Sequence, residues 1–401
     1  MLLTKEEWLA SLRKTVSERD ACLLDAAYEV LKRNTICEKG APWGDVPVIS
    51  PWSGPCAGIW NWDSAFHAMA VSRYDTALAK SCIDAFIKFQ LPTGMFPDVI
   101  YVDGKVCDNY GKPPVLPWAT MIVFRRDGDR DFLRRCYDRY VRNAAFWEEN
   151  RCDRGLFFYS AQQHPEAENY LHPRWESGWD NSPRWDEFPI PDLWAIDLNC
   201  YMVTFYRAMA EAAEVLGEEK GIWLDKAAAL AERIEAELFD PAQDAYADRN
   251  RKTGAFVTVL SPASFMPLYI GTASRARAEA MARLAADPKK FYPGMPTVTY
   301  DCPAYSTDYW RGQTWLNVAF FACKGLYDYG FTKVAEEIRE FILSMVYDGL
   351  SRGISENYDS VERRGRFNNS FSWSAAFVME FILDRFSCLR MGMQVSSPTT
   401  R

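Results

Sequence analysis

The sequence predicts an all-α fold of packed helical hairpins in one domain, and three observations carry that reading. Apolar residues recur at i, i+3/i+4 and i+7 in many windows, the stripe of a helix laid against a core. Period-2 alternation is sparse, and the stretches 155–159 and 254–258 read as hairpin pieces inside loops. No strand-then-helix rhythm recurs, so a doubly wound sheet or a (β/α)8 barrel lacks its parts.

Taken in order, the helical windows are 6–31, 78–89, 118–147, 194–209, 222–238, 273–285, 312–326, 334–345 and 372–386. The clearest stripes are Leu78, Cys82, Ala85, Phe86 and Phe89; Trp194, Leu198, Met202, Phe205 and Met209; and Val334, Ile338, Phe341, Ile342 and Met345. Between the windows lie long connections rich in Pro, Gly and aromatics, at 51–63, 91–117, 159–191, 300–313 and 354–371. Structureless connections beyond about 12–15 residues inside a compact domain are usually functional. If alternate helix–helix loops open on one end of a helical barrel, these five converge on one cleft. The expected domain is 1–390, with 391–401, which contains SSPTT, as a disordered tail.

Composition removes several function classes. Hydrophobic residues at 48% and charged residues at 25% fit a globular chain with a sizeable core. A net charge of -8 without any basic tract argues against nucleic acid, which needs clustered Lys and Arg. No signal-peptide core and no run of about 18 apolar residues occurs, so no membrane partner is expected. The 11 cysteines are scattered without a CxxC, which suits free thiols in a reducing compartment; the expected location is the cytoplasm. With three histidines, His67, His164 and His172, a Cys/His zinc site is not expected, and neither is any other metal or cofactor. GxGxxG, GxxxxGK[ST], GxSxG and HExxH are all absent. A homo-oligomer is compatible with all of this.

Aromatics reach 15%, and they gather in the long connections beside acids. GIWNWDSAF sets Trp60, Trp62 and Asp63 before a helix; Asp63 is either a helix cap or a carboxylate for sugar hydroxyls. WESGWDNSPRWDEF sorts by no period of 3.6 or 2. Its Asp180 lies between Trp179 and Trp185, where desolvation would raise its pKa as a general acid requires, and Asn181 and Arg184 follow to fix its geometry. Glu176 and Asp186 are rivals for the role, and a turn cap or an ion pair with Arg184 is the bland alternative. YSTDYWRGQTW adds Tyr309, Trp310, Arg311 and Gln313, ring faces and donors suited to a polyhydroxylated ligand or, equally, core plugs. ISENYDS and FNNSFSWSAA supply Glu356 and Trp373, with Glu356 placed to activate a water or simply solvated. Two carboxylates in an aromatic-lined cleft are what glycoside hydrolysis needs.

These strings, in this order, resemble glycoside hydrolase family 63 and the related trehalases over roughly residues 58–386. The resemblance implies an (α/α)6 barrel with its cleft built from long loops on one face, and hydrolysis of α-glycosides with inversion. It puts the general acid on Asp180 and the general base on Glu356, and it places Trp60, Asp63, Tyr309, Trp310 and Gln313 around the non-reducing sugar. The chain length resembles the short bacterial mannosylglycerate and glucosylglycerate hydrolase-type members. Two positions depart from that subgroup: Asp98, where a histidine is usual, and Lys112, where a glutamine is usual, both near the expected sugar subsites.

The expectation is therefore an inverting exo-acting α-glycosidase, an α-glucosidase on a small glucoside or disaccharide. Asp180 and Glu356 are its catalytic residues; Trp60, Trp62, Asp63, Asp98, Lys112, Trp179, Asn181, Arg184, Tyr309, Trp310, Gln313 and Trp373 contact the carbohydrate. The alternatives are glucosylglycerate or mannosylglycerate hydrolysis, a catalytically inactive sugar-binding protein on the same barrel, or a lyase or epimerase, since fold does not fix function.

Overall fold

In the computed structural model of the chain the described residues are 5–52, 54, 57–161 and 173–384. Helix α1 (Lys5–Leu12) precedes the barrel, and α2 (Glu18–Arg33) begins it after the Ser17 cap. Next come α3 (Asn61–Val71), α4 (Thr76–Ile87), α5 (Leu116–Asp127), α6 (Arg130–Asn150), the single turn α7 (Arg174–Ser177), α8 (Ile196–Leu216) and α9 (Gly221–Glu237). The short α10 (Met266–Tyr269), α11 (Arg275–Ala286), α12 (Leu316–Asp328), α13 (Thr332–Asp348) and α14 (Ser372–Leu383) complete the order.

Six helices form a closed inner ring in which α3 packs on α5, α5 on α8, α8 on α10, α10 on α12, α12 on α14, and α14 back on α3. The others stand outside, with α4 against α3, α6 against α5, α9 against α8, α13 against α12 and α2 against α14. This is an (α/α)6 barrel. The reason lies in which faces are apolar. All of α3 is buried, as are Leu316–Leu326 of α12 and Ser372–Ile382 of α14, and these largely apolar helices are covered on every side. Outer helices such as α6 and α13 bury only a stripe. The ring closes at a seam where Arg73 forks onto the buried Glu380 at 2.7 and 2.6 Å. There Asn34 also donates its amide to the carbonyls of Pro51 and Ser370.

Connections from inner to outer helices are short and capped. The Asp75 and Asp129 carboxylates accept the Leu78 and Phe132 N–H groups, both at 2.9 Å, at the starts of α4 and α6. Gly128 and Gly217, in left-handed conformation, end α5 and α8. Connections from outer to inner helices are long and hold the small sheets. One is three-stranded, Gly58–Trp60 with Val99–Tyr101 with Val106–Cys107, all antiparallel and registered by Ile59 opposite Ile100 and Ile100 opposite Val106. Another pairs Asn357–Asp359 with Arg364–Arg366.

Several expectations shift at their edges. The 6–31 window is two helices, because Ser17 starts a new one, and 118–147 breaks at Gly128 and Asp129 into α5 and α6. Helix α12 begins at Leu316 rather than 312. The hairpin expected at 155–159 is there, Cys152–Asp153 with Leu156–Phe157, whereas 254–258 keeps a single bridge from Phe256 to Arg249. Trp62 and Asp63 do not precede α3 but sit in its first turn, with Trp60 at the N-cap. The 391–401 tail lies outside the described residues, and so do His164 and His172. No helix among the described residues is long and apolar enough to cross a membrane.

Candidate active site

Each long connection delivers the chain to the N-terminus of an inner helix, and at that end of the barrel lies a cavity of about 790 Å³. Trp60, Trp62, Asp63, Asp98 and Lys112 line it from one side; Asp180, Tyr309, Trp310, Glu356 and Trp373 line it from the others. The aromatic wall is rigid. Trp310 stacks on Trp315 at 3.9 Å and 6°, and Trp62 meets Trp373 edge-on at 5.0 Å.

Asp180 is set by a tight local fold. Helix α7 ends in Gly178 at φ 74°, where a Cβ would run into the Trp62 ring, so only glycine lets the chain pass there and turn Asp180 toward the cavity. Behind it the rest of WESGWDNSPRWDEF is brace. Arg184 is buried between Asp197 at 2.9 Å and Asp248 at 2.8 Å, with its guanidinium over the Trp179 and Trp185 rings at 4.7 and 4.4 Å. The Trp185 indole N–H donates to the Trp179 carbonyl.

The rivals are occupied elsewhere. Buried Glu176 takes a two-point contact from Arg151 and the Ser160 N–H, and exposed Asp186 pairs with Arg311 at 2.8 Å. Among the described residues of this loop, Asp180 is the carboxyl that lines the cavity.

The second carboxyl, Glu356, follows Gly353 (φ 101°) and enters the strand Asn357–Asp359, which is tied to Thr314 by paired backbone hydrogen bonds with Tyr358. The Tyr309 hydroxyl donates to Glu356 Oε1 at 2.9 Å. The two acid-bearing loops are then linked through 305–315. Asn181 accepts the Trp310 N–H at 2.9 Å and donates to Asp308 at 3.0 Å.

Four expected contact residues do not line the cavity. Trp179 and Arg184 are packed behind the wall, Asn181 joins two loops, and Gln313 is buried donating to the Thr307 carbonyl at 2.6 Å. Their side chains are spent on holding the acid and base loops in place. Other lining residues went unforeseen, among them Trp52, Tyr101, Asn109, Tyr110, Trp175 and Trp315. Three of these belong to the 98–112 segment, whose strands are too short to signal themselves by alternation.

The electrostatics are those of crowded, dry carboxyls. Burial pushes Glu356 up to about 7, against the Tyr309 hydrogen bond that favours its ionised form. Burial likewise raises Asp180, with the Lys112 cation pulling the other way. Asp98 is pushed up to about 7 and Asp63 well above the carboxylate range, both by desolvation and both opposed by Lys112.

The chain is similar to known glycoside hydrolases. Mannosylglycerate hydrolases from Rubrobacter radiotolerans and Thermus thermophilus are 25% and 26% identical to the chain, the first covering 81% of it and 90% of the relative, the second 88% and 99%. The solved structure of a GH63 mannosylglycerate hydrolase from Thermus thermophilus in complex with glucose superposes with a TM-score of 0.77 at 23% identity, covering 89% of this chain and 99% of that one. Neutral trehalase from Saccharomyces cerevisiae shares the fold at a TM-score of 0.70 and 18% identity, over 90% of this chain and 80% of its own. Residues 57–374, which hold every wall of the cavity but Trp52, match the mannosylglycerate hydrolase MGH1-like glycoside hydrolase domain, and the chain belongs to that family of glycoside hydrolases.

Proposed function

We propose that the chain is an inverting, exo-acting α-glycosidase that cleaves a small α-glucoside or disaccharide, with Asp180 as general acid and Glu356 as general base. The observation that carries this is the placement of these two carboxyls on different loops lining one cavity, Asp180 buried and Glu356 held by the Tyr309 hydroxyl. A volume near 790 Å³ is in the range for a ligand of disaccharide size.

In the reaction, Asp180 gives its proton to the glycosidic oxygen as the bond to the anomeric carbon breaks. A water adds to the opposite face of that carbon and passes a proton to Glu356, so the sugar leaves as the inverted anomer. Desolvation raises the pKa of Asp180, the direction a general acid needs, and the Tyr309 hydroxyl steadies the Glu356 carboxylate. Trp60, Trp62, Trp310 and Trp373 offer faces and edges to the sugar, while Asp63 and Asp98 accept from its hydroxyls.

The relatives' names favour a second reading of the substrate, glucosylglycerate or mannosylglycerate. One catalytic domain working in the cytoplasm completes the proposal, supported by the free state of the described cysteines.

Proton NMR of the purified chain on a panel of α-linked disaccharides and glycerate glycosides tests it. The β-anomer should appear first. Release of the α-anomer would overturn inversion, and no hydrolysis of any member would overturn the glycosidase assignment.

A further inference from the structure

The hairpin Val99–Tyr101/Val106–Cys107 and its continuation to Lys112 form one wall of the cavity, and this wall carries a charge pair. The Lys112 ammonium lies 3.4 Å from Asp98 Oδ1, and both side chains are 7% exposed. The same ammonium donates to the Trp175 carbonyl, and its further charged neighbours are Asp180 and Asp63. No arginine lines the cavity among the described residues. The other lining cation is Lys105, exposed at the turn of the hairpin, against the acids Asp63, Asp98, Asp108, Asp180 and Glu356. Lys112 is also the charged group that bears most on Asp180, so this wall stands on the side of the acid, where the leaving group must lie.

We propose that the Asp98–Lys112 pair makes the enzyme select an uncharged, hydroxyl-bearing leaving group and reject a carboxylate-bearing one. The inference rests on the glycosidase reading and names its leaving-group class. With Lys112 held by Asp98 and a carbonyl, a substrate carboxylate reaching this wall would be desolvated beside a cation already paired, and the other lining cation among the described residues, Lys105, stands exposed at the turn. The cavity's own acids point the same way. Asp98 and Glu356 are pushed up to about 7 and Asp63 well above the carboxylate range, because burial in this site disfavours the charge of a carboxylate.

Asn109 supplies a second, independent argument. It lies on the same wall, 6% exposed, and neither atom of its amide has a partner among the described residues. An amide offers one acceptor and two donors. Hydroxyls, which both donate and accept, can satisfy both ends of it, whereas a carboxylate could meet the donors but would leave Asn109 Oδ1 without a proton.

The test uses the full-length enzyme and matched substrates that differ in one group: glucosylglycerol against glucosylglycerate, and the corresponding mannosides. The neutral member should have the higher kcat/KM by at least about tenfold. Asp98→Asn frees the Lys112 charge and should narrow that ratio by about tenfold, and adding Lys112→Gln should restore the preference for the neutral member. Equal or faster turnover of the glycerate member by the unmodified enzyme overturns the inference while leaving the glycosidase reading intact, and this comparison needs no variant to fold. A ratio unmoved by Asp98→Asn overturns the assignment to the pair. No turnover of either member with either sugar overturns the inference alone if an α-linked disaccharide is hydrolysed, and overturns the glycosidase reading with it if none is.

Discussion

The connections at the two ends of the barrel follow different rules. At one end, turns such as 72–75, 128–129 and 217–220 only reverse the chain, and their polar groups are consumed in capping helices, as Asp75 and Asp129 do. At the other end, connections such as 88–115 and 151–195 run through buried acids, tryptophans and small sheets before each inner helix starts. A cap stabilises by satisfying a backbone donor that would otherwise lack a partner. A buried carboxyl without a fixed cation does the reverse, and its persistence marks the end where chemistry is done.

Substitutions that separate activity from stability sharpen this contrast. The largest effect is expected at the cavity end. Asp180→Asn should lower kcat by about 10³-fold or more with the melting temperature nearly unchanged, since an amide fills the same space without the proton. Steady-state kinetics beside thermal denaturation would check it, and kcat within a few-fold of the unmodified enzyme would break the assignment. Next comes the capping end. Asp129→Ala should cost about 1 kcal/mol of stability, read by denaturant titration, and leave kcat/KM unchanged.

Tyr309→Phe is the mildest. Its hydroxyl donates to the Glu356 carboxylate and so favours the ionised form. Without it the carboxyl keeps its proton to higher pH, and the acidic limb of the kcat/KM profile should move upward from about 7, by roughly half a pH unit. A limb that stays in place or moves to lower pH would separate Glu356 from that limb.

Much of this arrangement was legible in the sequence, for reasons that also mark its limits. The long connections stood out because their aromatics and acids obey no period, and all five belong to outer-to-inner connections. Outer helices announced themselves by their stripes. Helix α3 did not, because with every residue buried it has no exposed face to set against an apolar stripe, and its first turn read as the end of a loop. Within WESGWDNSPRWDEF, composition nominated three acids and three tryptophans without ranking them in space. Trp175 lines the cavity while Trp179 and Trp185 are packed behind it, and a sequence offers no sign of which side of a wall a ring will occupy. The same ambiguity put Arg184 and Gln313 among the expected sugar contacts. Asn109 escaped notice because a lone asparagine in a loop carries no pattern, and its significance lies in hydrogen bonds it does not make.

The seam that joins α14 to α3 and α2 has a consequence for how the protein is made. The chain is synthesised from α2 toward α14, so α3, buried on all faces in the finished barrel, keeps one flank uncovered until the last described helix has emerged. Glu356 and Trp373 arrive with that final stretch. An unfinished chain therefore holds the acid without the base and a ring with one gap, and the same late event that shields the apolar flank also assembles the catalytic pair.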